Sequence, residues 1–289
     1  MSLVKNREIC IAVNNNANKW HRYTVDIIIA WFSKINKTKV IYGGVIGGVI
    51  GGINVSINDV FEQKIPATNV IIISGENMQD MAQGCDIYIG TNSTNQVYIP
   101  QLFLSLHEHR KSIDPDDYIN LHTKFCAYLY FVSCEHRIKY YNLLSSYSQV
   151  TALGRCCGKD VIPTRYKYDE VETYNDIAIS NYANGGFKFV IAMENSMGAG
   201  YSTEKLINPI IANCIPIYWG DAGIFKYINK KRVIYANDYT DEELLARVKE
   251  LDTNNELYYN VLSEPCFLIP TSQIYATYSK EICYTLSGL

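Results

Sequence analysis

The chain has 289 residues, a net charge of −3 and 48% hydrophobic content. That length holds two modest domains or one large one, and the near-neutral balance gives no basis for a general nucleic-acid or anionic-membrane partner. Nine cysteines, an odd number without C-x-x-C spacing, argue against a complete disulfide framework and a zinc site, and fit reduced thiols in a cytosolic setting.

Cys10–Val13 reads as a first strand, Tyr23–Lys34 as a helix or strand of mixed periodicity, and Lys39–Tyr42 as a second strand. The tandem repeat from Gly43 to Gly52 has neither G-x-G-x-x-G spacing nor enough apolar residues for a membrane helix, and is expected as a loop. Val70–Ile73 and Asp86–Ile89 are further short strands, and Ser74-Gly75-Glu76-Asn77 follows the first of them. Pro100–Glu108 is expected to be helical. His107 and His109 flank Glu108, and Asp114 and Asp116 flank a proline; plain loop and turn roles fit both pairs better than a metal. Lys124–Ser133 opens the second half as a strand, followed by a helix around His136–Leu144. Asp241–Leu251, capped by Thr240 or Asp241, and Ser272–Leu286 are the last helices. Met1–Cys10 is polar and Val25–Phe32 is too short to span a bilayer. The chain is therefore expected to be soluble and cytoplasmic, with no transmembrane segment; nothing in the sequence fixes its oligomeric state.

The densest chemistry lies between Phe187 and Asp221. Phe187–Met193 is almost continuously apolar, as in a strand buried on both faces. A loop with Glu194, Asn195, Gly198, Gly200 and Tyr201 follows, then Ser202 or Thr203 as an N-cap, Glu204 and Lys205 in a first helical turn, and a second strand at Ile215–Trp219. Leu206, Ile207, Ile210, Ile211 and Cys214 give the helix one apolar stripe, while Pro209 removes a helical donor and leaves room for a kink. A helix N-terminus with an added lysine suits a pyrophosphate, although spacing alone leaves an ordinary solvated loop equally open.

The run ENSMGAGYSTEKLINPIIANCIPIYWGD resembles the signature of the α-1,3/4-fucosyltransferase family: E-N-[ST], a glycine loop, Y-x-T-E-K, a helix and I-P-I-Y-W-G. HRIKYYNLL resembles the helix on which that family carries a phosphate-binding arginine, here Arg137, and SGEN resembles a family segment whose glutamate, here Glu76, acts as catalytic base. ALGRCCGK resembles the family's small glycine loop, with Thr151 and Ala152 in place of the usual D-S. The resemblance implies an α/β fold of two facing Rossmann-like doubly wound domains with a cleft between them, the GT-B glycosyltransferase type. It implies residues 1–122 as an acceptor-binding domain and 123–289 as a donor-binding domain, with the last helix packing back on the first.

The activity implied is transfer of L-fucose from GDP-fucose to a glycan hydroxyl, in α-1,3 linkage to N-acetylglucosamine or glucose, by inverting single displacement without a metal or cofactor. Arg137 and Lys205 would hold the pyrophosphate. Asn195, Tyr201 and Glu204 would contact the donor, Glu194 would orient the loop or touch fucose, and Glu76 would deprotonate the acceptor. Another GDP-deoxysugar donor, a catalytically silent glycan- or nucleotide-binding protein of the same fold, and an assembly subunit remain open alternatives.

Overall fold

The structure, a computed structural model, describes residues 8–13, 22–35, 37–42, 53–57, 69–74, 87–90, 97–98, 120–158 and 174–287. The chain divides into two compact units. The first comprises Met1–Glu108, Met197–Tyr201 and Ile269–Leu289; the second comprises His109–Ser196 and Ser202–Leu268.

In the first unit, β1 (Glu8–Val13), α1 (Arg22–Ile35), β2 (Lys37–Tyr42), β3 (Ile53–Ile57), β4 (Asn69–Ser74), β5 (Ile87–Gly90) and β6 (Val97–Tyr98) follow in chain order. The strands form a six-stranded sheet in the order β2-β1-β3-β4-β5-β6, with every neighbouring pair parallel. The ambiguous segment at Tyr23–Lys34 is helical: Val25 and Ile28 are fully buried while Asp26 faces out, a three-residue spacing that a strand's alternation would not give. β3 went unpredicted because its five residues follow the glycine repeat without a turn signal of their own.

The second unit contains β7 (Lys124–Tyr128), α2 (Glu135–Ser145), β8 (Val150–Ala152), α3 (Tyr174–Asn184), β9 (Phe187–Met193), α4 (Glu204–Ile211), β10 (Ile215–Trp219), β11 (Ile234–Tyr235), α5 (Asp241–Thr253) and α6 (Asn255–Leu262). Its five strands are also all parallel, in the order β11-β10-β9-β7-β8. The strand expected at Lys124–Ser133 ends at Tyr128. The core is built from Phe125, Tyr128, Phe189, Ile191, Ile215 and Ile217 of the sheet, covered by Leu244, Val248 and Leu251 of α5 and Tyr258 of α6. Thr240 caps α5 in a reciprocal capping box with Glu243.

The last helix, α7 (Thr271–Leu286), belongs to the first unit, where it contacts α1, β5 and β6. Ile274, Tyr278, Ile282 and Leu286 recur every four residues and form its buried stripe. The Gly43–Gly52 repeat, Glu76, the expected helix at Pro100–Glu108 and the His107/His109 and Asp114/Asp116 pairs lie outside the described residues. Each unit is thus a parallel α/β sheet with flanking helices. In each, the first and third strands lie side by side and the chain leaves in opposite directions from them. That switch point is where ligands enter such sheets, beyond the carboxyl ends of the strands.

Candidate active site

In the second unit the switch point falls between β7 and β9. β9 is buried on both faces, apart from Lys188, whose Nζ reaches the Asp252 carbonyl and carboxylate at 2.8 and 3.0 Å. The ladder continues one residue past the strand, because the Glu194 N–H donates to the Trp219 carbonyl at 2.9 Å. That register draws the Glu194 side chain inward to zero exposure. Its carboxylate accepts from the Thr203 N–H at 2.7 Å and from the Thr203 hydroxyl at 2.8 Å. Burial pushes the Glu194 carboxyl above its usual range; Lys205 and the Thr203 donors act in the opposite direction.

Thr203 is the N-cap of α4, and its hydroxyl oxygen also accepts from the Lys205 N–H at 3.3 Å and from Lys205 Nζ at 3.0 Å. The Lys205 ammonium lies 3.0 Å from Glu204 Oε1 and 3.6 Å from Glu194 Oε2, with its side chain one-quarter exposed. One chain of contacts therefore runs from the end of β9 through Glu194 and Thr203 to Lys205. It fixes a cation at a helix start, where the helix dipole and the lysine charge together suit a phosphate. Pro209 sits inside α4 among buried Leu206, Ile207, Ile210 and Ile211.

Arg137 approaches from the β7 side. α2 places Arg137, Tyr140 and Leu144 on one buried stripe, and Arg137 is only 3% exposed. An ordinary surface arginine is not so placed. Its Nε donates to the Met193 carbonyl at 3.2 Å and its Nη1 to the Val132 carbonyl at 3.2 Å, while the guanidinium lies 4.2 Å from the centre of the Tyr130 ring. These bonds take two of the five guanidinium donors. Tyr130 is itself pinned by donating to the Ile191 carbonyl at 2.9 Å and accepting from the Met193 N–H. Burial pushes its hydroxyl far above the ordinary range, so it stays neutral beneath the cation.

Two further contacts complete the rim. His136 Nε2 donates to the Glu194 carbonyl at 2.7 Å, and the His136 ring lies 4.3 Å from the Trp219 ring at 32°. The loop after β8 carries Gly154, where a Cβ would meet the Tyr130 carbonyl oxygen at 2.4 Å; only glycine permits that approach. A Cβ at Gly220 would fall 2.2 Å from the Tyr218 hydroxyl and 2.9 Å from Glu194 Cγ. The Tyr218 hydroxyl donates to Ser202 Oγ at 2.9 Å, which ties the residue before the N-cap to β10.

Among the expected site residues, the second unit gathers Arg137, Glu194, Glu204 and Lys205 around the end of β9. Asn195 is the next residue and is exposed; its Oδ1 accepts from Ser196 Oγ at 3.5 Å. Tyr201 is buried, is grouped with the first unit, and bonds through its N–H to Gly198 O at 3.0 Å beside Gly200, which has φ +76. Glu76 lies outside the described residues. Sequence reasoning overlooked Tyr130 and His136. His136 is adjacent to the arginine that drew notice, whereas Tyr130 carried no signal beyond an aromatic-rich strand. Among the described residues no group of three His, Cys, Asp or Glu side chains could hold a metal ion, and no helix is long and apolar enough to cross a membrane.

A parallel α/β sheet with a buried arginine and a capped lysine at its switch point is a Rossmann-like arrangement suited to a phosphate-bearing ligand. The model of glycosyltransferase family 10 (fucosyltransferase), C-terminal part, matches residues 122–266, and the chain belongs to that family. It is 44% identical over 275 residues to the putative fucosyltransferase R654 of Acanthamoeba polyphaga mimivirus, covering 92% of this chain and 44% of that protein. It is 35% identical over 79 residues to the alpha-(1,3)-fucosyltransferase FucT of Helicobacter pylori, covering 27% of this chain and 16% of that one. The chain thus spans less than half the length of these curated relatives. A crystal structure of an alpha1,3-fucosyltransferase with GDP superposes at a TM-score of 0.65 and 17% identity, over 98% of this chain and 92% of that one, which establishes the shared fold.

Proposed function

We propose that the protein transfers L-fucose from GDP-fucose to a hydroxyl of a glycan acceptor by inverting single displacement. The acceptor oxygen attacks the anomeric carbon as its bond to the phosphate oxygen breaks, and GDP leaves with the electron pair. The observation that carries this reading is the pairing of buried Arg137 with capped Lys205 at the end of β9. Negative charge grows on the departing diphosphate, so fixed cations there stabilise the transition state more than the ground state. Asn195, Tyr201 and Glu204 contact the donor, and Glu194 positions Thr203 and Lys205. Glu76 takes the acceptor's proton; this role rests on the likeness of SGEN to the family segment.

The finer arrangement is part of the same proposal. Residues 1–122 bind the acceptor and 123–289 the donor, with the last helix packing back on the first domain, the two domains face each other across a cleft in GT-B fashion, and no metal takes part. A reducing, cytoplasmic setting is part of the proposal and fits Cys126, Cys134, Cys156, Cys157, Cys214 and Cys283, which carry free thiols.

The test is GDP release from GDP-fucose in EDTA, with galactose- and N-acetylglucosamine-ended acceptors, for the natural chain and Glu76→Gln. Acceptor-dependent release that collapses in the variant is expected. Release unchanged by the substitution removes Glu76 from the mechanism. Turnover with another GDP-deoxysugar but not GDP-fucose replaces the donor, and binding without turnover on any acceptor favours a silent binding protein.

A further inference from the structure

Two consecutive residues of α2 hold two consecutive carbonyls at the end of β9. β7 pairs with β9 only as far as Tyr128 opposite Ile191, so Met193 and Glu194 lie beyond the last strand partner on that side. Side chains take over from the missing ladder. The Met193 N–H donates to the Tyr130 hydroxyl oxygen, and Arg137 Nε donates to the Met193 carbonyl at 3.2 Å. One residue further along β9, His136 Nε2 donates to the Glu194 carbonyl at 2.7 Å. Because a carbonyl only accepts, Nε2 carries an imidazole proton.

The other side of Glu194 belongs to β10. Its N–H donates to the carbonyl of Trp219, the last residue of that strand, at 2.9 Å. The Trp219 ring lies against the His136 ring, with centres 4.3 Å apart and 32° between the planes. Both main-chain polar groups of Glu194 are therefore held, the N–H by β10 and the carbonyl by α2. His136 is braced on the same tryptophan whose carbonyl takes the N–H. The histidine stands apart from the buried stripe of α2, which is Arg137, Tyr140 and Leu144. It reaches into the site and not into the core.

Glu194 stands between the two cations. Arg137 is fixed to the residue before it, at Met193. The Glu194 carboxylate accepts from the Thr203 N–H and hydroxyl at 2.7 and 2.8 Å, and Lys205 Nζ meets Thr203 Oγ1 at 3.0 Å and Glu194 Oε2 at 3.6 Å. A shift of the Glu194 main chain would thus carry Thr203 and Lys205 with it, while Arg137 stayed on Met193. We infer that His136 is a positioning residue that sets the placement of Lys205 relative to Arg137 through the Glu194 carbonyl. The inference rests on the reading of those two cations as the diphosphate clamp of the donor site.

The experiment is calorimetric titration of GDP into the unaltered chain, His136→Phe, His136→Gln, Lys205→Met and the double variant His136→Phe with Lys205→Met. Phenylalanine keeps a ring to lie on Trp219 and lacks the donor, whereas glutamine supplies an amide donor at similar reach. GDP affinity is expected to fall about three- to tenfold in His136→Phe, the worth of one neutral hydrogen bond, and to recover largely in His136→Gln. The double variant is expected to bind GDP no more weakly than Lys205→Met alone, because the histidine acts through the lysine; an independent structural effect would add in full. Unchanged affinity in His136→Phe, or a loss that adds in full to that of Lys205→Met, overturns the inference and leaves the Arg137–Lys205 clamp standing. No GDP binding by the unaltered chain removes the clamp, and the inference with it. Nitrogen-15 spectra of the histidine rings in the unaltered chain keep the inference testable if His136→Phe does not fold. The His136 Nε2 proton is expected to be protected from solvent exchange both with and without GDP; free exchange, or a bond that moves from the carbonyl to GDP, overturns it.

Discussion

Replacing Glu194 by alanine removes the acceptor for two buried donors at once, the Thr203 N–H at 2.7 Å and the Thr203 hydroxyl at 2.8 Å. Each buried donor left without a partner costs about 1–3 kcal/mol, so the pair sums to about 2–6 kcal/mol. Removing a carboxylate from a fully buried position relieves part of its desolvation cost, and we take about 3 kcal/mol as the net destabilisation. At about 2–4 °C per kcal/mol for a chain of this size, that is roughly 6–12 °C in the unfolding midpoint. Glu194→Gln keeps an acceptor for the Thr203 N–H, so roughly half of that loss is expected.

A pH signature accompanies the substitution. Burial raises the Glu194 carboxyl in the folded state, so the native protein holds its proton to higher pH than the unfolded chain does. The Glu194 contribution to stability is greatest below its unfolded pKa and declines as pH rises through the raised folded value; glutamine abolishes that slope. The assay is thermal and urea unfolding across the acidic range for Glu194→Gln, Thr203→Val and the double variant. Additive single effects, or a Glu194→Ala protein as stable as the parent, would refute the linked Glu194–Thr203–Lys205 arrangement.

Gly154→Ala is expected to destabilise by about 1–3 kcal/mol, because its Cβ would press on the Tyr130 backbone rather than on a side chain that can turn away; urea unfolding reads the loss. Thr240→Ala, at an exposed cap far along the chain from the site, should cost about 1 kcal/mol without changing GDP binding. The capping contacts of Thr240 hold the Glu243 carboxyl below its ordinary range. The stability linked to it is present above the unfolded carboxylate pKa and fades as pH falls through the lowered folded value, a slope that Thr240→Ala should flatten. Arg137→Lys should weaken GDP binding by about tenfold or more, since lysine reproduces neither the two backbone bonds nor the stacking on Tyr130; calorimetric titration with GDP measures it.

The parts of this protein that could be read from its sequence are those where local chemistry and tertiary role coincide. The apolar run of β9, the N-cap Thr203 and the stripe of α4 follow rules that operate within a few residues, and each lies where those rules place it. Arg137 was legible as a site residue only through the family resemblance. Its burial depends on α2 turning that face toward Met193, more than fifty residues away in sequence. Glu194 looked like the first polar residue of a loop, but the extra ladder bond to Trp219 turns it into the best-connected carboxylate of the site. No local signal in Lys230-Lys231-Arg232 shows that Arg232 is buried while Lys231 stays exposed. β11, two residues long, falls below any periodicity and exists because β10 offers it a parallel edge.

The central claim is that Arg137 and Lys205 together hold the diphosphate of a GDP-linked donor. Calorimetric titration of GDP into the unaltered chain, Lys205→Met and Arg137→Met tests it most directly. Each lost charge-assisted contact is worth about 1.5–3 kcal/mol, so the account predicts affinity lower by about ten- to a hundredfold in each single variant, with the folded state retained in the lysine variant. GDP binding with unchanged affinity in both variants, or no GDP binding by the unaltered chain, would contradict it.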